Sequence, residues 1–191
     1  MTSKRRRLVA VLAAMVIVLV GGALLFLQIG VPMLRRHHYL QRLAVFGELH
    51  VPDLKSSEEK EAYRFFWSRS FHRAVLITVF VHDDAHGVLG VKVAAGTEDD
   101  GPGELVIDRD IQLGASEIQA LRDVVRSNAF WREGIRSELT VDGSGWTIEV
   151  KQGRKYHLDS EISPKEGSSI RNVGMHLIEL SGLELTPHEI Y

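Results

Sequence analysis

The chain contains no cysteine, which excludes disulfides, thiol nucleophiles and cysteine-ligated zinc. No Asp or Glu occurs before residue 39, and no charge of either sign lies between Leu8 and Leu34. A Walker loop, Gly-x-Ser-x-Gly and His-Glu-x-x-His are missing, so these common signatures of nucleotide binding, serine hydrolysis and zinc proteolysis do not occur. There is no internal repeat and no low-complexity tract.

The first of the features present is the charge-free run itself. It follows Lys4-Arg5-Arg6-Arg7 and is most apolar from Leu8 to Leu27. Those 20 residues, at about 1.5 Å each, reach about 30 Å as a helix, the thickness of a bilayer's hydrocarbon core. A cleaved secretory signal has an apolar core of about 7–15 residues ending at a small-x-small site. Here the core is longer and ends in Leu24-Leu25-Phe26-Leu27-Gln28, so the run reads as an uncleaved transmembrane helix over residues 8–30. Four Lys/Arg precede it; Arg35-Arg36 and, further off, Arg42 follow. The positive-inside bias then places residues 1–7 in the cytoplasm. Residues 31–55 read as a juxtamembrane segment and linker, and residues 56–191 as an extracytoplasmic domain, periplasmic at a bacterial inner membrane. Gly21-Gly22-Ala23 permits close helix approach, but the run has no Gly-x-x-x-Gly spacing that would mark a self-associating span.

From Tyr39 onward the chain holds 17 Lys/Arg against all 25 Asp/Glu, a formal charge of −8. Such a field repels nucleic acid and anionic head groups. The partners expected are therefore the membrane, through residues 8–30, and a protein, with no nucleic acid and no cofactor.

Met33 to Phe46 reads as a helix broken by Gly47 and Val51-Pro52-Asp53. Ser56 and Glu59 form a capping-box pattern, predicting a helix to about Ser70 that carries Tyr63, Phe65, Phe66 and Trp67 inward. Ala74–Val81 and Val88–Ala95 read as a hairpin around the turn His82 to Gly87. Thr97 to Gly103 reads as an acidic loop. Leu105–Ile111 alternates as a half-exposed strand, with Arg109 an inward exception. A second box, Ser116 with Gln119, opens a helix with the apolar stripe Ile118, Leu121, Val124/Val125 and Ala129, closed by Phe130-Trp131 as core anchors. Asp142 to Gly145 reads as a tight turn, and Trp146 to Asp159 as a second hairpin. The last helix runs from Ser168 or Ser169 to Ser181, with Ile170, Val173, Leu177 and Leu180 inward and Gly182 closing it. The class is α+β: after the transmembrane helix, an antiparallel sheet of two hairpin or meander units packed with about three helices.

Two groups of residues could carry chemistry. In the second hairpin the apolar sets Trp146, Ile148, Val150 and Tyr156, Leu158 coincide only if paired residue numbers sum to an even value, because opposed residues share a face. A three-residue loop, Gln152-Gly153-Arg154, satisfies this and sets Glu149 opposite His157, a carboxylate–imidazole dyad suited to general base chemistry. A two-residue turn would put His157 beside Ile148 and split both faces. The same pair in a merely structural role is a surface cross-strand contact. The turn His82-Asp83-Asp84-Ala85-His86 offers His82, Asp84 and His86 as metal ligands, although hairpin turns collect Asp and His for other reasons.

The soluble part resembles a widespread group of bacterial proteins to which no activity is assigned. The resemblance rests on Glu61-Ala62-Tyr63-Arg64-Phe65, Arg69-Ser70-Phe71-His72-Arg73 and Leu121 through Phe130-Trp131. Most specific is Asp142-Gly143-Ser144-Gly145-Trp146-Thr147-Ile148-Glu149, then Tyr156-His157 and Ser163-Pro164. The ending, Leu177 to Leu183 and Glu189-Ile190-Tyr191, resembles it too. Group members commonly carry Asp-Arg-Trp-Ser-Pro after the Tyr-His, where this chain has Ser160-Glu161-Ile162-Ser163-Pro164. The resemblance implies a coherent fold and no particular function. The expected function is a non-enzymatic, membrane-anchored interaction or binding domain. The alternative is an extracytoplasmic hydrolase or metal-dependent enzyme built on Glu149 and His157.

Overall fold

The structure, a computed structural model, describes residues 15–24, 26, 30, 37, 39, 41–46, 54–96, 104–127, 130–131 and 143–190. The chain forms two compact units, Met1–Arg42 and Leu43–Tyr191. In the first, residues 15–24 are helical and every one is exposed. The expected breaks at Gly47 and Val51-Pro52-Asp53, the acidic loop, Ala129 and Asp142 lie outside the described residues, as does much of the helix expected from Met33; its end, Leu43–Phe46, is 3-10 helix.

The second unit is built on six antiparallel strands: β1 (Glu61–Arg69), β2 (Val75–Val81), β3 (Gly87–Ala94), β4 (Leu105–Leu113), β5 (Ser144–Gln152) and β6 (Lys155–Ile162). Their order across the sheet is β4-β3-β2-β1-β5-β6. Two helices, α1 (Ala115–Ser127) and α2 (Ser169–Ser181), complete the α+β unit. The β2–β3 hairpin, the half-exposed strand β4 and both helices stand where the periodicity of the sequence puts them. Strand β4 has a register shift at Val93/Ala94 of its partner.

Strand β1 is a correction. The Ser56/Glu59 pattern predicts a helix, whereas Glu61–Arg69 is the strand between β2 and β5. Eight of its nine residues are buried, so neither helical nor two-residue periodicity is visible in its composition. Tyr, Phe and Trp favour a pleated, laterally packed strand, and two neighbouring strands satisfy its backbone on both sides. Ser57 Oγ donates instead to the Leu54 carbonyl at 2.9 Å.

One face of the sheet carries Tyr63, Phe65, Trp67, Ile77, Val79, Leu89, Val91, Trp146, Ile148 and Val150 into one core with Ile118, Leu121 and Val125 of α1 and Ile170, Val173 and Leu177 of α2. Helix α2 lies very close to this face: a Cβ on Gly174 would stand 2.5 Å from the Trp146 ring and 3.3 Å from Phe65. Ser168 caps α2 by accepting from Arg171 N, and Gly182, at φ 61, closes it in the left-handed region that glycine adopts without strain. Arg109, expected inward, is exposed; from β4 it reaches this end, donating to the Ser181 and Gly182 carbonyls at 2.9 and 3.3 Å. These are carbonyls that the helix itself leaves unbonded.

Helix α1 begins at Ala115, one residue before the expected box. Gly114 N donates to Glu117 Oε2 at 2.7 Å, while Gln119 turns to Asp123. Phe130 is fully buried, as expected of an anchor, and Trp131 packs at the edge of the core.

The opposite face holds Arg64, Phe66, Leu76, Thr147, Glu149 and Lys151, all buried. The chain just before β1 lies over part of it. Phe46 meets Phe66 edge-on at 6.0 Å, the Lys151 ammonium donates to the Ser57 carbonyl, and Lys55 stands 5.8 Å over the Tyr156 ring. Toward β4 this face opens to solvent at Val106, Asp108, Asp110 and Gln112.

Candidate functional sites

The second hairpin turns on two residues, Gly153 and Arg154, and pairs Gln152 with Lys155, Lys151 with Tyr156, Val150 with His157 and Glu149 with Leu158. Paired numbers therefore sum to an odd value, and the expected three-residue loop is corrected. Gly153 takes the positive φ of 61° that a two-residue hairpin turn requires. This one-residue slip sends Glu149 and His157 to opposite faces, so the expected dyad is not assembled. His157 lies on the helix side, edge-on to Phe130 at 5.0 Å and 6.2 Å from Trp131. Glu149 lies on the other side with both oxygens engaged: Arg64 Nη1 donates to Oε2 at 2.9 Å and the Tyr156 hydroxyl to Oε1 at 2.6 Å. The polar network of this face, rather than the apolar set Tyr156 and Leu158, selects the register.

The turn between β2 and β3 is likewise organised for its own closure. Asp83 Oδ1 accepts from Ala85 N at 2.7 Å, from His86 N at 2.9 Å and from the His86 ring at 2.9 Å. The Ala85 amide, followed by the His86 side chain, holds the Asp83 carboxyl below the usual carboxylate range. Asp84 pairs with Arg122 at 2.9 Å, and His82 is exposed. The candidate ligands His82, Asp84 and His86 are not drawn together as a metal site. Among the described residues no three such side chains come together to hold a metal.

Two arrangements have no signature in the linear sequence. In the first, Arg122 of α1 joins Glu61 at the start of β1 with Asp84 of the hairpin turn. It donates from Nε and Nη2 to the Glu61 carboxylate at 3.0 and 2.7 Å, and from Nη1 to Asp84 at 2.9 Å. The Tyr63 hydroxyl also donates to Glu61, and Gln152 Nε2 donates to Tyr63 at 2.8 Å. Burial alone would raise the Glu61 carboxyl; the Arg122 and Tyr63 hydrogen bonds outweigh it and hold the group low. Burial and then the Glu61 carboxylate push the Tyr63 phenol up, and Glu61 followed by Asp84 raises the Arg122 guanidinium. This cluster ties α1 to the sheet and to the hairpin tip.

The second is an open cleft of about 480 Å³ lined by Arg69, Phe71, His72, Arg73, Ala95, Gly96 and Glu189. Arg69 Nε and Nη2 donate to the Arg73 carbonyl at 2.9 and 2.6 Å, which closes the turn between β1 and β2. Its guanidinium lies 4.3 Å from the Trp67 ring and 3.7 Å from Glu189 Oε1. Glu189 Oε2 accepts from the Thr186 amide at 2.8 Å and hydroxyl at 2.9 Å. The Thr186 amide first, then its hydroxyl, with Arg69 and His72 adding, hold the Glu189 carboxyl below its usual range. Arg69, Phe71, His72 and Arg73 come from one short stretch of chain; Ala95-Gly96 and Glu189 join it through the fold.

No family model, curated protein or solved structure matches this chain.

Proposed function

We propose that this protein is a membrane-tethered extracytoplasmic binding domain that acts without catalysis. The observation that carries the tether is the surface of the helix at residues 15–24. Met15, Val16, Ile17, Val18, Leu19, Val20 and Leu24 are all more than half exposed, so the helix is apolar around its whole circumference. Such a helix needs an apolar surrounding rather than water. Among the described residues no helix is long and apolar enough to cross a membrane. The described helix covers ten residues, about 15 Å, within the longer uncharged run from Leu8 to Leu34. The basic residues at 4–7 support a cytoplasmic N-terminus and an outward-facing unit from Leu43.

The non-catalytic reading rests on the partners of the candidate residues. Glu149 has both oxygens bonded to Arg64 and Tyr156, and Asp84 is tied to Arg122; these contacts serve the fold. Alkaline carbonate extraction of membranes expressing the full chain tests the tether. The protein is expected to stay with the membrane and to leave only with detergent. A reporter fused after Tyr191 is expected to be active outside the cytoplasm, and activity inside would overturn the orientation.

A further inference from the structure

The cleft at Arg69 and Glu189 has a charge opposite to that of the unit around it. From Tyr39 onward 17 Lys/Arg face 25 Asp/Glu, yet two guanidiniums and one carboxylate line this cleft, with His72 beside them. With His72 neutral the local balance is one net positive charge. A concave spot of one sign focuses the field on ligands of the other. Its volume of about 480 Å³ falls in the size range of small-molecule sites.

The roles inside the cleft differ. Arg69 is a building element: its bonds to the Arg73 carbonyl fix the turn that presents His72 and Arg73, and its buried guanidinium lies against Trp67. Glu189 is positioned by Thr186 and remains a carboxylate, which sets an upper limit on the anionic charge the cleft tolerates. Arg73 is exposed and His72 half-exposed. Phe71, 71% exposed, is the one large apolar side chain of the lining. A guanidinium binds a planar carboxylate through two parallel N–H donors, and a single negative charge suits this balance better than a dianionic phosphate held beside Glu189.

We propose that this cleft binds a small carboxylate-bearing molecule with an apolar or aromatic substituent, the carboxylate meeting Arg73 and His72 and the substituent covering Phe71. The site rests on the reading of the unit as a binding domain and is independent of the tether. A free organic acid and the C-terminus of a short peptide share this chemistry.

The test is a calorimetric titration of the full-length protein in detergent micelles with 3-phenylpropanoate, with a tripeptide ending in phenylalanine, with the amide of each, and with inorganic phosphate. At least one acid is expected to saturate, with its amide about tenfold weaker or worse. Tighter binding of phenylpropanoate assigns a free acid, and tighter binding of the tripeptide assigns a peptide terminus. Arg73→Gln and Phe71→Ala change exposed side chains; each is expected to weaken binding about fivefold or more, with the unliganded melting temperature unchanged. The proposal is overturned if neither acid saturates below about 10 mM, if amide and acid bind equally, if phosphate binds more tightly than both acids, or if Arg73→Gln binds as the parent does. Because micelles replace the bilayer, a failure here leaves the carbonate-extraction result untouched.

Discussion

Arg64 and Glu149 face each other directly across β1 and β5, and the Arg64 Nη1 donates to Glu149 Oε2 at 2.9 Å with both side chains out of solvent. Two charges removed from water recover their desolvation cost only while both are present. Glu149→Ala is therefore expected to lower stability by about 3–5 kcal/mol, since it takes the carboxylate away from a guanidinium held in a dry site. The double replacement Arg64→Met with Glu149→Leu is expected to restore at least half of that loss. Urea unfolding of the single and double variants measures this. A double variant as unstable as Glu149→Ala would show that the pair contributes more than mutual compensation.

Gly174 sets two effects against each other. Alanine in a helix interior is favoured over glycine by up to about 1 kcal/mol. Here the added Cβ would stand 2.5 Å from the Trp146 ring, and that ring is fully buried. Overpacking of this kind costs about 1–3 kcal/mol, so Gly174→Ala is expected to be destabilising on balance. Thermal unfolding decides it; a raised melting temperature would mean that α2 lifts away from the sheet at no cost.

The Glu61 cluster predicts an acid-sensitive stability. The folded Glu61 carboxyl is held below its ordinary range, with Arg122 and Tyr63 overcoming the effect of burial. A lowered folded value means that the unfolded chain binds more protons as pH falls. The stabilisation is thus present above about pH 4.3, the ordinary glutamate value, and is lost as pH drops through the lower folded value. Glu61→Gln is expected to be clearly less stable than the parent near neutral pH, with the gap narrowing toward about pH 3. Urea midpoints at the two pH values measure the gap, and an equal gap at both would remove Glu61 from the acid response.

At the end of α2, Gly182 has φ 61° and its N–H donates to the Glu179 carbonyl. Gly182→Ala is expected to cost about 1 kcal/mol because a Cβ is strained in this region, and Gly182→Asn less than that. Hydrogen exchange of the last turn of α2 should rise in the alanine variant and only slightly in the asparagine one.

Much of the fold is legible residue by residue. Strands β3 and β4 and helices α1 and α2 carry their burial mainly on one side, so Leu105, Ile107 and Ile111 or Ile170, Val173 and Leu177 report the element through their spacing. Strand β1 does not, because partners on both faces bury consecutive side chains from Ala62 to Arg69 and erase the period that distinguishes strand from helix. The β5–β6 register fails for a related reason. Matching the apolar residues of two strands assumes that the face holding them is the apolar one, yet Tyr156 is drawn across by Glu149, which Arg64 holds on the other face.

What the sequence by itself determined is local: a charge-free run capped by basic residues, an acidic remainder, an α+β order of elements, and the capping glycine after α2. Each depends on neighbours in the chain, so composition and periodicity suffice to read it. Only the tertiary structure decided which side chains meet. It separates Glu149 from His157 by one residue of register, assigns Asp84 to Arg122, and brings Arg69 and Glu189 together from opposite ends of the unit. The physical reason is that a buried charge must find its partner wherever the sheet and helices place it, and no spacing along the chain encodes a contact made across 85 or 120 residues.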